Sequence, residues 1–207
     1  MVNKQKFKGI TLYRKRCVDN IIKIYNDSIS ENEEGWYTEA NKLATELASK
    51  NGLSNLQVAG IIAALSPLKS WNENKRIAEQ FIRIGSTLHT RAMVSKAKDI
   101  RDYNESMQRE FILTTLNGNK ISSFFINIAF PEDPNYVTID RHAISIALGR
   151  SIKNNEGNIT NKQYEFLTSC YKQVGESLGV VPNKVQAVTW VKWRQLKLAN
   201  KFAEVPF

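Results

Sequence analysis

The sequence predicts an all-α fold, and three observations carry that expectation. Apolar residues recur at spacings of three and four almost throughout, clusters of glycine, proline and asparagine divide the chain into about ten short segments, and only Tyr136-Val-Thr-Ile139 reads as strand-like. In chain order, Ile10, Tyr13, Cys17, Ile21 and Ile24 mark a first helix, followed by a polar break from Asp27 to Gly35. Trp36, Ala40, Leu43, Ala44 and Leu47 mark a second, closed by Asn51-Gly52. Ser54 opens a third, apolar around most of its circumference and ended by Pro67, so it should lie at the centre of a core. Two helices follow, from about Trp71 to Ile84 and from Thr90 to Tyr103, joined by Gly85-Ser86. A further stretch to Thr115 leads into the segment Leu116–Leu148, which contains the clearest loop of the chain, Pro131-Glu-Asp-Pro-Asn135. After a second polar loop, Lys153 to Gly157, two last helices carry Tyr164, Leu167, Tyr171, Val174 and Leu178, then Val185, Val188, Trp190, Trp193 and Leu196.

Length and composition bound what such a chain can do. Its 207 residues suit one domain, residues 1–207, or one domain in two closely packed lobes, and 42% hydrophobic content supplies a core. With 29 Lys and Arg against 20 Asp and Glu, the net charge of +9 favours a polyanionic partner, with nucleic acid ahead of an anionic membrane. Lys4, Lys6, Lys8, Arg14, Lys15 and Arg16 would form a cationic N-terminal arm, and Arg91, Lys96, Lys98 and Arg101 a second basic patch. Cys17 and Cys170 sit inside apolar helical patterns and read as core residues, which excludes a disulfide framework and an iron–sulfur cluster held by this chain. His89 and His142 are too distant to build a metal site. Without a signal-like or membrane-length apolar run, the expectation is a soluble, cytoplasmic monomer that needs neither metal nor cofactor.

The chemistry is concentrated between Leu116 and Leu148. Leu116-Asn-Gly-Asn-Lys-Ile121 places Gly118 in a turn, where the backbone can approach a ligand, and the helix that follows offers unpaired N–H groups to a phosphate oxygen. An Asn-Gly pair is equally an ordinary corner between helices. Asp140, directly before an apolar run, is a natural N-cap. The two roles are compatible, because a capped carboxylate is fixed and oriented, and a fixed anion stabilises positive charge developing on a sugar. Lys120 becomes a nucleophile only if partial burial and a basic surrounding activate it. Gln186, Trp190 and Trp193 form a stripe that reads as core packing, with Lys184, Lys192 and Arg194 reaching outward. His142, two residues after Asp140, reads as a structural or phosphate-facing histidine.

These residues resemble the helix-hairpin-helix DNA glycosylases, the superfamily of endonuclease III and the adenine and 8-oxoguanine glycosylases. Leu116, Gly118 and Lys120 match the leucine, first glycine and lysine of the L-P-G-V-G-x-K-T-A hairpin, and Ile139-Asp140-Arg141-His142 matches the V-D-T-H that follows it. Ala64-Leu65-Ser66 with Asn74-Lys75 is similar to the L-S-x-Q…V-N-K-A helix, and Ser95 to Ile100 to the N-S-K-A-x-N-I segment. Three departures stand out: the turn is shorter and lacks the second glycine, Pro67-Leu68 stands where the pattern has Ala-Gln, and the cluster cysteines are absent. The resemblance implies a two-lobed helical fold with a cleft between the lobes, the hairpin and catalytic segment lying at about 112–148. It implies base excision after base flipping, from duplex or single-stranded DNA. Asp140 and Lys120 would be catalytic, the lysine forming a Schiff base that gives lyase activity. Gly118, Asn119, Ser122, Lys96, Arg141 and His142 would contact DNA, and Ser66, Trp71, Asn72 and Asn74 would line the base pocket. Relatives of this kind occur in bacteriophages that remodel their own bases, and the Asn- and Lys-rich composition suits such an origin. Two rival readings remain: a base-hypermodifying enzyme on the same fold, and a DNA-binding or inhibitory protein without chemistry.

Overall fold

The computed structural model describes residues 2–28 and 35–203, with the side chains at 154, 155 and 199–203 left out. Among the described residues it contains ten α-helices and one two-stranded sheet, so the chain is all-α apart from a single hairpin. It divides into two compact units, Met1–Tyr37 with Glu132–Phe207, and Thr38–Pro131.

The first unit opens with the hairpin. Strands β1 (Lys4–Phe7) and β2 (Ile10–Tyr13) pair antiparallel, Phe7 opposite Ile10. Lys8 and Gly9 both take left-handed backbone, φ 44° and 84°, the turn that matches strand twist. Ile10 to Tyr13 were expected to start the first helix; they form a strand because this turn hands the chain back along β1, with Leu12 buried and Ile10, next to the turn, exposed. Helix α1 therefore begins at Arg14 and runs to Asn26. Arg14 does not extend a cationic arm either. It is buried, its Nε donating to the Val2 carbonyl at 2.9 Å and Nη2 to Ser169 Oγ at 2.8 Å.

Against α1 pack α8 (Arg141–Leu148), α9 (Asn161–Leu178) and α10 (Pro182–Ala203), with a short helical turn at Asn154–Gly157 before α9. Their shared core includes Phe7, Ile21, Ile144, Tyr171, Val174 and Val185, all with no more than 1% exposure. Cys17 and Cys170 lie in it as free thiols, hydrogen-bonded to each other across α1 and α9. The strand-like segment Tyr136 to Ile139, too short to build a sheet, pairs with no strand among the described residues. Two of its backbone groups are met by a side chain instead: Tyr164 donates its hydroxyl to the Val137 carbonyl at 2.7 Å and accepts the Ile139 amide at 3.1 Å.

The second unit is organised around one buried helix. Helix α2 (Trp36–Asn51) leads into it, and α3 (Asn55–Ala64) is capped by Ser54 and Gln57 in a reciprocal box. Every residue of α3 from Gln57 onward is buried, as its apolar sequence requires. Helices α4 (Trp71–Ile84), α5 (Arg91–Asp102), α6 (Gln108–Leu116) and α7 (Asn119–Ala129) all pack on it. Gly60 is the point of closest approach: a Cβ there would lie 3.0 Å from Ile112 Cγ2 and 3.1 Å from Ile100 Cγ2. Gln57 completes the joint by donating from Nε2 to the carbonyls of Arg101 at 2.8 Å and Tyr103 at 3.0 Å, in the last turn and at the C-cap of α5.

Candidate functional site

In the first unit, Asp140 is the N-cap of α8. Its Oδ1 accepts the amides of His142 at 2.9 Å and Ala143 at 2.8 Å. Its Oδ2 accepts the indole Nε1–H of Trp190 from α10 at 3.1 Å. Three donors on two helices thus hold one half-buried carboxylate, and the α8 N-terminus adds its positive dipole end. The approach to it is equally fixed. Tyr164 pins residues 137 and 139, Tyr171 donates to the Ala143 carbonyl at 3.1 Å, and buried Tyr37 donates to Gln186 Oε1 at 2.8 Å. Burial drives the Tyr37 and Tyr171 phenols far above the ordinary tyrosine range, so both remain hydrogen-bond donors.

Aromatic rings wall this carboxylate. Trp190 meets Trp36 at 6.3 Å between ring centroids, and the His142 ring meets Trp190 edge-on at 6.1 Å. Trp190 therefore holds Asp140 and packs on its neighbours at once, a role that the stripe of core residues concealed. Gln186 is buried, as that stripe implied, and serves as the acceptor for Tyr37.

His142 is half-buried, and its Nδ1 is sequestered without a hydrogen-bond partner. Desolvation lowers its pKa below the ordinary 6.5; Arg141, Lys197 and Arg194 push the same way, and Asp140 opposes them. The sign follows from linkage. The unfolded chain takes up this proton first, so the contribution of a neutral His142 is complete above about 6.5 and is lost as pH falls towards the depressed folded value. Thermal melts at pH 7.5 and 5.5 should show a steeper acid loss for the native chain than for His142→Gln; parallel losses would contradict it.

The hairpin lies in the second unit. Helices α6 and α7 are joined by Asn117 and Gly118, and the left-handed residue is Asn117, φ 47°, whereas Gly118 is extended at φ 167°. The sharp turn thus rests on asparagine, which tolerates that conformation. Asn119 and Lys120 are exposed in the first turn of α7, and Ser122 is half-buried, its amide donating to the Gly118 carbonyl at 2.9 Å. The partial burial that would activate Lys120 is not present. Lys96, on α5, donates its ammonium to the Leu116 carbonyl, bracing the C-terminal end of α6. Arg141, exposed at the first position of α8, and His142 stand beside Asp140 in the first unit; Lys120, Gly118, Asn119, Ser122 and Lys96 belong to the second.

The expected base-pocket residues cluster around the α3–α4 connection. Ser66 donates its hydroxyl to the Ala63 carbonyl at 2.8 Å, Trp71 is half-buried with Lys75 Nζ 5.6 Å from its ring, and Asn72 is exposed. Asn74 does not face a surface: it is 2% exposed, and its Nδ2 donates to the Ile62 carbonyl at 3.0 Å, tying α4 to α3.

Two leucines near this connection are exposed to an unusual degree. Leu68 is 98% exposed and Leu88 84% exposed, on loops joined by a 3.1 Å contact between His89 Nε2 and the Pro67 carbonyl. Leu68 also holds left-handed backbone at φ 63°, which costs a non-glycine residue about 1–2 kcal/mol. Neither burial nor backbone preference accounts for a leucine there. Leu68→Gly should therefore raise stability by about 0.5–1 kcal/mol in urea denaturation; a loss would show that the side chain supports the fold.

Among the described residues, no group of three or more His, Cys, Asp or Glu side chains is placed to hold a metal ion, and no helix is long and apolar enough to cross a membrane. A family model covers residues 2–197. The chain belongs to DUF7178, a family of unknown function. No curated protein and no solved structure matches this DUF7178 chain.

Proposed function

We propose that this DUF7178 protein is a DNA N-glycosylase with a helix-hairpin-helix glycosylase fold. The observation that carries the reading is the state of Asp140: a carboxylate fixed by two α8 amides and the Trp190 indole, at the position of the V-D-T-H aspartate. The order of the four matching motifs supports it, as do the tight α6–α7 turn and the net charge of +9. So does the division into two compact units, which suits a two-lobed enzyme.

In the proposed reaction, the target nucleotide leaves the base stack, and its C1′–N bond breaks with the electron pair departing on the base. Positive charge then develops on C1′ and the ring oxygen, and the carboxylate of Asp140 stabilises it. The stabilisation is large because the donors to Asp140 hold it in place before the charge appears. Water completes the excision, giving up its proton as it adds to C1′. If the amine of Lys120 adds instead, a Schiff base forms and elimination cleaves the strand. The exposure of Lys120 favours the water route.

Borohydride trapping on DNA with abasic sites and modified bases tests both routes. A covalent adduct with the native chain but not with Lys120→Ala establishes the lyase. Base release without an adduct establishes a monofunctional glycosylase. DNA binding with neither product on any substrate, including heavily modified DNA, overturns excision and leaves a binding protein.

A further inference from the structure

The outer half of α10 carries an arrangement that base excision does not by itself explain. Two indoles one turn apart each carry a cation from four residues later: the Arg194 guanidinium lies 4.6 Å from the Trp190 ring, and Lys197 Nζ lies 6.0 Å from the Trp193 ring. Arg194 is exposed and Lys197 half-buried, and neither has an acidic partner among the described residues. The nearby cations that do pair are elsewhere, Lys184 with Glu132 at 3.0 Å and Arg150 with Glu156 at 2.7 Å.

The Arg194 member of this pair adjoins Asp140 through a shared indole. Trp190, under Arg194, is the residue that donates to Asp140, and the His142 ring lies edge-on to the same indole. Arg141, Lys197 and Arg194 all act on the His142 imidazole, each disfavouring its protonation, so their positive fields overlap at that ring. Stacking on an indole orients the guanidinium and leaves its N–H edge available, which suits a planar, two-pronged grip on a phosphodiester.

The geometry points to a backbone-phosphate seat formed by Arg194 and Lys197, with Arg141 at its edge, beside Asp140. Its ligand is the phosphodiester that flanks the nucleotide placed against that carboxylate. A polyanion brought up to a fixed carboxylate is repelled, and cations within a Debye length of about 8–10 Å offset that repulsion. The seat thus serves two ends, holding the strand in register and compensating Asp140 when the strand is bound. This rests on the reading of the site as one that accepts DNA, but not on base release.

The test is fluorescence anisotropy of a labelled oligonucleotide containing a stable abasic analogue, titrated with the full chain over a salt series. The Arg194→Gln, Lys197→Gln double variant is compared with a double variant of equal charge change at the exposed Lys23 and Lys162. Each phosphate contact contributes about 0.9 to the slope of log K against log salt, so the seat variant should lower the slope by about 1.5–2 while the control leaves it nearly unchanged. Equal slopes for the two variants overturn the seat, as does a native chain that does not bind the oligonucleotide. Competition by poly-glutamate at the same charge concentration as DNA would assign the surface to an acidic protein and also overturns it. A reduced slope without base release on any substrate leaves the seat standing and removes the glycosylase. Base release with an unchanged slope does the reverse. Far-UV melts of both variants separate lost binding from lost folding.

Discussion

Asp140→Asn is expected to lower base release by about 100- to 1000-fold while costing only about 1 kcal/mol of stability. The separation of the two effects follows from the geometry. An asparagine Oδ1 still accepts the His142 and Ala143 amides at 2.9 and 2.8 Å, and asparagine caps helices about as well as aspartate. The second atom fares worse, since an amide nitrogen cannot accept the Trp190 indole N–H that Oδ2 accepts at 3.1 Å. The lost charge-assisted bond accounts for the small stability cost. The lost negative charge accounts for the activity, because no neutral cap stabilises charge on C1′. Urea denaturation and single-turnover base release read the two effects independently. A stability loss of several kcal/mol, with activity falling only in proportion to unfolded protein, would show that Asp140 is a cap alone.

Tyr164→Phe should destabilise the protein by about 2–4 kcal/mol, an effect large for the removal of one oxygen. The phenol satisfies two backbone groups, the carbonyl of Val137 at 2.7 Å and the amide of Ile139 at 3.1 Å, in a segment that pairs with no strand among the described residues. Val137 and Ile139 are 0% and 2% exposed, so water does not replace the lost hydroxyl freely. Each group left unpaired costs roughly 1–3 kcal/mol, and relaxation of the segment recovers part of it. The segment ends at Asp140, so the variant should also slow base release in the fraction that remains folded. Equilibrium urea unfolding checks the stability effect, and a change below about 0.5 kcal/mol would mean that the segment is held by its apolar packing.

Where the sequence was legible, it was so for local reasons. A capping residue opens α3 at Ser54 and a glycine closes α4 at Gly85, and the apolar run of α3 foretells its burial. Asp140 could be read as a cap for the same reason, since the amides it accepts are two and three residues away. The hairpin at Lys4 to Tyr13 was hidden because Ile10 and Tyr13 happen to fall in step with Cys17 and Ile21 of the true helix. Lys8-Gly9 was the available signal, a glycine between two short alternating runs. Tyr136 to Ile139 is the converse case. Its residue types favour a strand, but Tyr164, more than twenty positions onward, takes its hydrogen bonds. The partner of Asp140 was out of reach altogether. Trp190 lies 50 positions away, and a tryptophan at helical spacing is indistinguishable from core until its N–H is seen to point at a carboxylate.

The measurement that tests the account most directly is mass spectrometry of free bases released from DNA of several sources, run side by side with the native chain and Asp140→Asn. The native chain should liberate a defined base, and the variant, folded by its melting curve, should liberate it about 100-fold more slowly or less. No base from any DNA, or equal release by both proteins, would contradict the account.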